Sequence, residues 1–243
     1  MRNLLIISVL LFISCEELQE SSNFLEYDYY MENGWEAFQI ENWDLAIELF
    51  NTGLGSSTSS KYTEAYTGLG WTYLYHANTK AGINNVSLRD SLRLLAEENF
   101  QEAKSEGWHG NNVWGNTLAG MIFIYSHIAD TAIASYYNND GQDQLLWDIM
   151  EEYSSKTITE SDELLDFYLD LDKDFDFEYD LCVNVDNIRI IRARTFLRLG
   201  DFESMLFELN NLSTYLLCEA NLQSIEEGLN CLANLSSYLS TCN

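Results

Sequence analysis

The sequence predicts an all-α chain, and three observations carry that prediction. From about Leu18 onward the apolar residues recur at the three- and four-residue spacing of a helix, with short polar breaks at 53–60, 84–87, 107–112 and 138–142. Proline is absent from all 243 residues, so no position inside a helical run lacks its backbone donor. A small residue also recurs twelve positions ahead of a second residue that is followed, four later, by a large apolar one. That spacing lets two helices approach closely while the large side chain fills the space one turn on.

The elements follow in order. Helices are expected at 22–40 and 43–54, where Gly34 precedes Ala46 by twelve and Phe50 follows. The next two, 61–79 and 88–105, carry Gly70, Ala96 and Phe100; the extra residues fall between Thr79 and Ser91 and read as a longer loop. Gly120, Ala132 and Tyr136 repeat the spacing across helices at 112–128 and 130–137. Helices at 143–155 and 160–169 follow, the second opened by Thr159 with Asp162, a capping pattern. A late pair at 186–199 and 202–215 carries Ala193, Met205 and Leu209. Ser224-Ile225-Glu226-Glu227 is a capping box that opens a last helix at 223–240. The breaks are short, so consecutive helices should pack as antiparallel pairs.

One stretch departs from this rhythm. Near 170–185 the period changes to two: Asp170, Asp172, Asp174, Asp176, Glu178 and Asp180 alternate with Leu171, Lys173, Phe175, Phe177 and Tyr179. This predicts a short extended acidic segment that lays its aromatic rings on the helices and turns its acids outward. It does not fit a calcium loop, because no register places glycine sixth and glutamate twelfth. Arg189, Arg192, Arg194 and Arg198 follow within one helix. They are expected to pair with the neighbouring acids; the alternative is that some bind a partner's carboxylate.

Twelve Lys and Arg face 39 Asp and Glu, a formal charge of −27. Such a surface excludes phosphate neutralisation, so neither nucleic acid nor an anionic lipid surface is an expected partner. At the N-terminus, Arg2 precedes an apolar run from Leu4 to Ile13, the pattern of a secretory signal and too short to span a bilayer. Leu11-Phe12-Ile13-Ser14-Cys15 resembles the lipobox of bacterial lipoproteins. The resemblance implies removal of residues 1–14, acylation of Cys15, a short tether at 15–21 and a single helical domain at 22–243, anchored by lipid at the bacterial outer membrane. Export leaves Cys182, Cys218, Cys231 and Cys242, an even number that permits three pairings. Cys218–Cys231 is the bridge two neighbouring helices would bring together, and buried free thiols are the alternative.

Gly34-Trp35 with Ala46-x-x-x-Phe50, and Gly68-Leu69-Gly70-Trp71-Thr72-Tyr73 with Ala96-x-x-x-Phe100 and Ala103, resemble tetratricopeptide (TPR) repeats. Leu199-Gly200-Asp201-Phe202 resembles the turn within such a repeat, although the usual closing proline is missing throughout. The resemblance implies a TPR-like α-solenoid of antiparallel helix pairs. Its first helices would line a concave partner-binding groove presenting Trp35, Phe38, Trp71, Tyr75, Trp114, Tyr125, Arg194 and Arg198.

Catalytic patterns are missing. His76, His109 and His127 are isolated, no HExxH or GxSxG occurs, and Gly68-Leu69-Gly70 lacks the context of a phosphate loop. No enzymatic activity, metal or cofactor is expected. The expected function is that of an envelope lipoprotein acting as a protein-interaction scaffold, with a protein or peptide partner in the envelope. The alternatives are a factor assembling outer-membrane barrels and a lipoprotein capturing a solute or glycan in its aromatic groove.

Overall fold

A computed structural model describes residues 26–56, 62–80, 85–107, 110–171, 173–180, 183–212, 218 and 222–239. The signal run, Cys15, His109, Cys182 and Cys242 lie outside these residues. The described residues are helical apart from short connections: α1 (26–39), α2 (Trp43–Ser56), α3 (Tyr62–Thr79), α4 (Val86–Glu106), α5 (Asn111–Asn138), α6 (Gln144–Asp170), α7 (Val185–Leu199), α8 (Phe202–Asn210) and α9 (Ile225–Leu239). No strand occurs among them, and the only ladder pairing is an isolated antiparallel bridge between Asp176 and Asn184.

Local chemistry sets the helix ends. The α7–α8 turn uses Gly200 at φ 76°, with Gly200 N–H donating to Leu197 O (3.1 Å) and Asp201 N–H to Phe196 O (2.9 Å). This left-handed stop satisfies carbonyls that the helix end leaves open. Asp201 then caps α8 by accepting from Ser204 N–H at 3.1 Å. The α1–α2 turn has the same bonds, Glu41 N–H to Phe38 O and Asn42 N–H to Ala37 O, both 2.9 Å, but Glu41 holds the left-handed position at φ 58°. Ser224 and Glu227 form the reciprocal capping box of α9: Ser224 Oγ accepts from Glu227 N–H and Glu227 Oε2 from Ser224 N–H, each at 3.2 Å.

Two expected breaks are absent. The spacing predicts helices at 112–128 and 130–137, yet α5 runs unbroken through them, and α6 runs through 156–159. Neither expected break, at 128–130 or at 156–159, contains glycine or proline. The hydroxyls of Thr131 and Thr159 donate back to His127 O (2.9 Å) and Ser155 O (3.0 Å), so both threonines sit inside helices and Thr159 caps nothing. Gly120 and Ala132 therefore lie on one helix, roughly 18 Å apart, and do not face each other across a hairpin. The partner of α5 is α6, which runs antiparallel to it: Tyr168 covers Gly115, and the Tyr125 and Tyr153 rings meet at 5.6 Å.

Elsewhere the small–large pattern acts between helices as expected. Phe50 of α2 is fully buried between two glycines: a Cβ at Gly34 of α1 would come within 2.7 Å of its ring, and one at Gly68 of α3 within 2.4 Å. Phe100 of α4 stands likewise between Gly70 of α3 (2.6 Å) and Gly120 of α5 (2.1 Å). Each phenylalanine wedges its own helix pair against the next, using space that a methyl group would fill. One apolar cluster runs from Tyr27 to Ile191. A second joins Ile190 and Ala193 of α7 to Met205 and Leu209 of α8 and to Cys231, Leu232 and Leu235 of α9.

Candidate functional site

The residues expected to line an open groove are largely covered by the chain itself. Trp35, Phe38, Trp71 and Tyr125 are buried, and Trp71 has no exposed surface. The cover over the first three is the segment 173–180. Its aromatic residues point inward, with Phe175 and Phe177 buried, while Asp174, Asp176 and Glu178 are exposed, so period two places the two chemistries on opposite sides. Phe177 stacks on Trp71 at 4.5 Å and 21° and meets Trp35 edge-on at 5.9 Å. Tyr179 stacks flat on Trp35, 4.0 Å and 5° from parallel. Phe175 meets Tyr168 at 5.3 Å. Backbone bonds from Phe177 N–H to Val183 O (2.8 Å) and from Val185 N–H to Phe175 O (3.0 Å) fold the segment back on the start of α7.

Hydrogen bonds fix the edges of this aromatic stack. The Trp71 indole donates to Asn116 O at 3.0 Å, and the Tyr75 hydroxyl donates to the Asp180 carboxylate. Burial, reinforced by that carboxylate, pushes the Tyr75 phenol well above its usual range; burial and then Glu178 do the same to Tyr179. Both phenols therefore stay neutral over the whole range of biological pH.

A cleft of about 580 Å³ opens beside this stack. Its lining combines the rings of Phe38, Trp43, Tyr75 and Tyr179 with the carboxylates of Glu41 and Asp180. Trp43 is not among the expected groove residues, because it opens the second helix of its pair. The turn folds it back onto Phe38 at 5.6 Å, a contact that follows from hairpin geometry and not from helical spacing.

The rest of the expected stripe divides. Trp114 is half-buried against the main core near the start of α5. Tyr125 pairs with Tyr153, with Lys156 Nζ 5.6 Å from its ring. Arg194 and Arg198 share Asp130 of α5, at 3.1 and 3.5 Å, and Arg198 also donates to Ser126 Oγ at 2.9 Å. Among the described residues, the ion pairs of the four arginines run to acids other than those at 170–180. Arg189 (3.0 Å) and Arg192 (2.8 Å) instead hold Glu208 of α8, which is 2% exposed, and Arg192 reaches Asp162 of α6 at 2.6 Å. The helix turns these side chains toward α5, α6 and α8, whereas the extended segment turns its acids to solvent.

Among the described residues no three His, Cys, Asp or Glu side chains are placed to hold a metal ion. His76 Nδ1 and His127 Nε2 are buried without a hydrogen-bond partner. Burial, with Arg93 and then Arg89 adding to it, lowers the His127 imidazole to about 4. Cys218 and Cys231 are joined by a disulfide, Cα to Cα 5.0 Å, that ties the chain ahead of α9 to α9 itself. Compared with protein families, with curated proteins and with solved structures, the chain has no match in any of the three.

Proposed function

We propose that this chain is a non-catalytic TPR-type interaction scaffold, exported and anchored by lipid at Cys15 to a bacterial outer membrane, whose partner is another envelope protein. One observation carries the reading: an extended peptide, 173–180, lies along the inner faces of α1 and α3 with alternate side chains stacked on Trp35 and Trp71. Rigid rings arranged to hold an extended chain suit peptide capture. The phenylalanine wedges between successive helix pairs support a repeat architecture. Here the chain fills most of the groove itself, which leaves the cleft beside Trp43 and Tyr75 as the surface for a partner.

The test is affinity purification of the tagged full-length chain from solubilised membranes, beside a Thr79→Arg variant that blocks the cleft margin. The scaffold reading predicts one envelope protein recovered in stoichiometric amount with the unaltered chain and lost with the variant. Recovery of no protein, or the same protein from both, contradicts it. A barrel-assembly component as that protein would make the scaffold an assembly factor. A Cys15→Ala variant is expected to leave the membrane fraction.

A further inference from the structure

The geometry points to the cleft beside Trp43 and Tyr75 as a binding site for an organic ammonium cation, an amine or quaternary ammonium group held among aromatic rings. This goes beyond the scaffold reading and stands on the cleft alone. Three rings line it, Phe38 buried and Trp43 and Tyr75 half-buried. Phe38 and Trp43 lie 5.6 Å apart at 69°, Phe38 and Tyr75 5.1 Å apart at 66°, and Trp43 and Tyr75 6.3 Å apart at 46°. Rings set at such angles share no flat face. A sugar stacks best on one broad flat face, and the flattest pair nearby, Trp35 with Tyr179, is already spent on itself. A cation within about 6 Å of several ring faces is attracted by each of them.

The charges agree. Glu41 and Asp180 line the cleft, and among the described residues no Lys, Arg or His does. Asp180 accepts the Tyr75 hydroxyl, whereas the Glu41 carboxylate has no hydrogen-bond or ion-pair partner among the described residues. The formal charge of −27 concentrates cations at the surface as a whole. The backbone at Glu41 points the same way. Its φ of 58° is the position that Gly200 holds in the corresponding turn of α7 and α8. Glycine is the unstrained residue there, so this turn keeps a carboxylate at the cleft at a cost to its own stability.

Calorimetric titration of the full-length chain with choline, with the uncharged carbon isostere of choline and with maltose tests the assignment. Choline is expected to bind about tenfold more tightly than its isostere. Trp43→Leu should abolish binding, and Glu41→Gly should weaken choline about fivefold, the effect of one exposed charge. Glycine relieves the turn, so Glu41→Gly should melt no lower than the unaltered chain, and its weaker binding cannot then be ascribed to misfolding. Equal affinity for choline and its isostere, binding of maltose in place of choline, absence of any heat with choline, or undiminished affinity in a folded Glu41→Gly variant would each overturn the assignment.

Discussion

The Trp35 indole and the Tyr179 phenol lie face to face, 4.0 Å apart and 5° from parallel, although 144 residues separate them in the chain. Their contact joins α1 to the segment between α6 and α7, and so covers Trp35 from within the chain. With Phe177 on Trp71, it makes the rings of the acidic segment part of the core, on the side that the period of two turns toward the helices.

Phe177 is the centre of that closure, touching Trp35, Phe38, Trp71 and Tyr179. Phe177→Ala is expected to cost about 3–5 kcal/mol, the range for deleting a fully buried ring. Tyr179→Ala, at a half-buried site, should cost less. Urea unfolding followed by tryptophan fluorescence measures both, and equal small losses would mean the segment is not packed as described.

Gly120 has no room for a methyl group, since its Cβ would lie 2.1 Å from the Phe100 ring. Gly120→Ala should destabilise the fold by about 1–3 kcal/mol. Phe100→Leu costs stability alone, but in the same chain it should recover part of the alanine's loss, so a double-mutant cycle gives a clear coupling. Strict additivity would refute the wedge.

The Cys218–Cys231 bridge closes a short loop, 13 residues by sequence separation, onto the smaller apolar cluster. A loop of this size is worth about 3 kcal/mol through the unfolded chain. Reductant should therefore lower the melting temperature, whereas a Cys231→Ser variant should melt at the reduced temperature with or without it. Identical melting of the oxidised and reduced chain would contradict this.

His127 gives the stability a definite pH dependence. Burial first, then Arg93 and Arg89, lowers its imidazole from 6.5 to about 4, against the opposing pull of Asp130 and Asp90. Between those values the unfolded chain binds a proton that the folded chain rejects, so stability falls as pH drops from about 6.5 toward 4. Above 6.5 the effect is absent. The loss is of order 2 kcal/mol once partial exposure of the ring is allowed for. Urea midpoints at pH 7.5 and 4.5 should differ less in His127→Gln than in the unaltered chain; an unchanged difference would show that His127 is not responsible.

What the sequence disclosed and what it concealed divide along the range of the interactions. Helical periodicity placed most helix ends, and the small–large spacing identified Phe50 and Phe100 as wedges, because both signals act within a few turns. The period of two at 170–180 showed which side of the segment is apolar. It carried no information on what that side covers, since Trp35 and Trp71 are more than a hundred residues away. The same limit hid the partners of Arg194 and Arg198: proximity in sequence favoured the acidic segment, while helix packing brought Asp130. The continuity of α5 was misread because the twelve-residue spacing recurs by chance within a helix that nothing interrupts.

Trp35 and Trp71 are covered in cis, and in the proposed function the cleft beside Tyr75 takes the partner. Photo-crosslinking in native membranes, with the reactive residue placed at Trp71 in one variant and at Thr79 in another, tests this arrangement most directly. Position 71 should give an adduct within the chain, to residues 175–179, and position 79 an adduct with a second envelope protein. A second protein captured from position 71, or none captured from position 79, would contradict it.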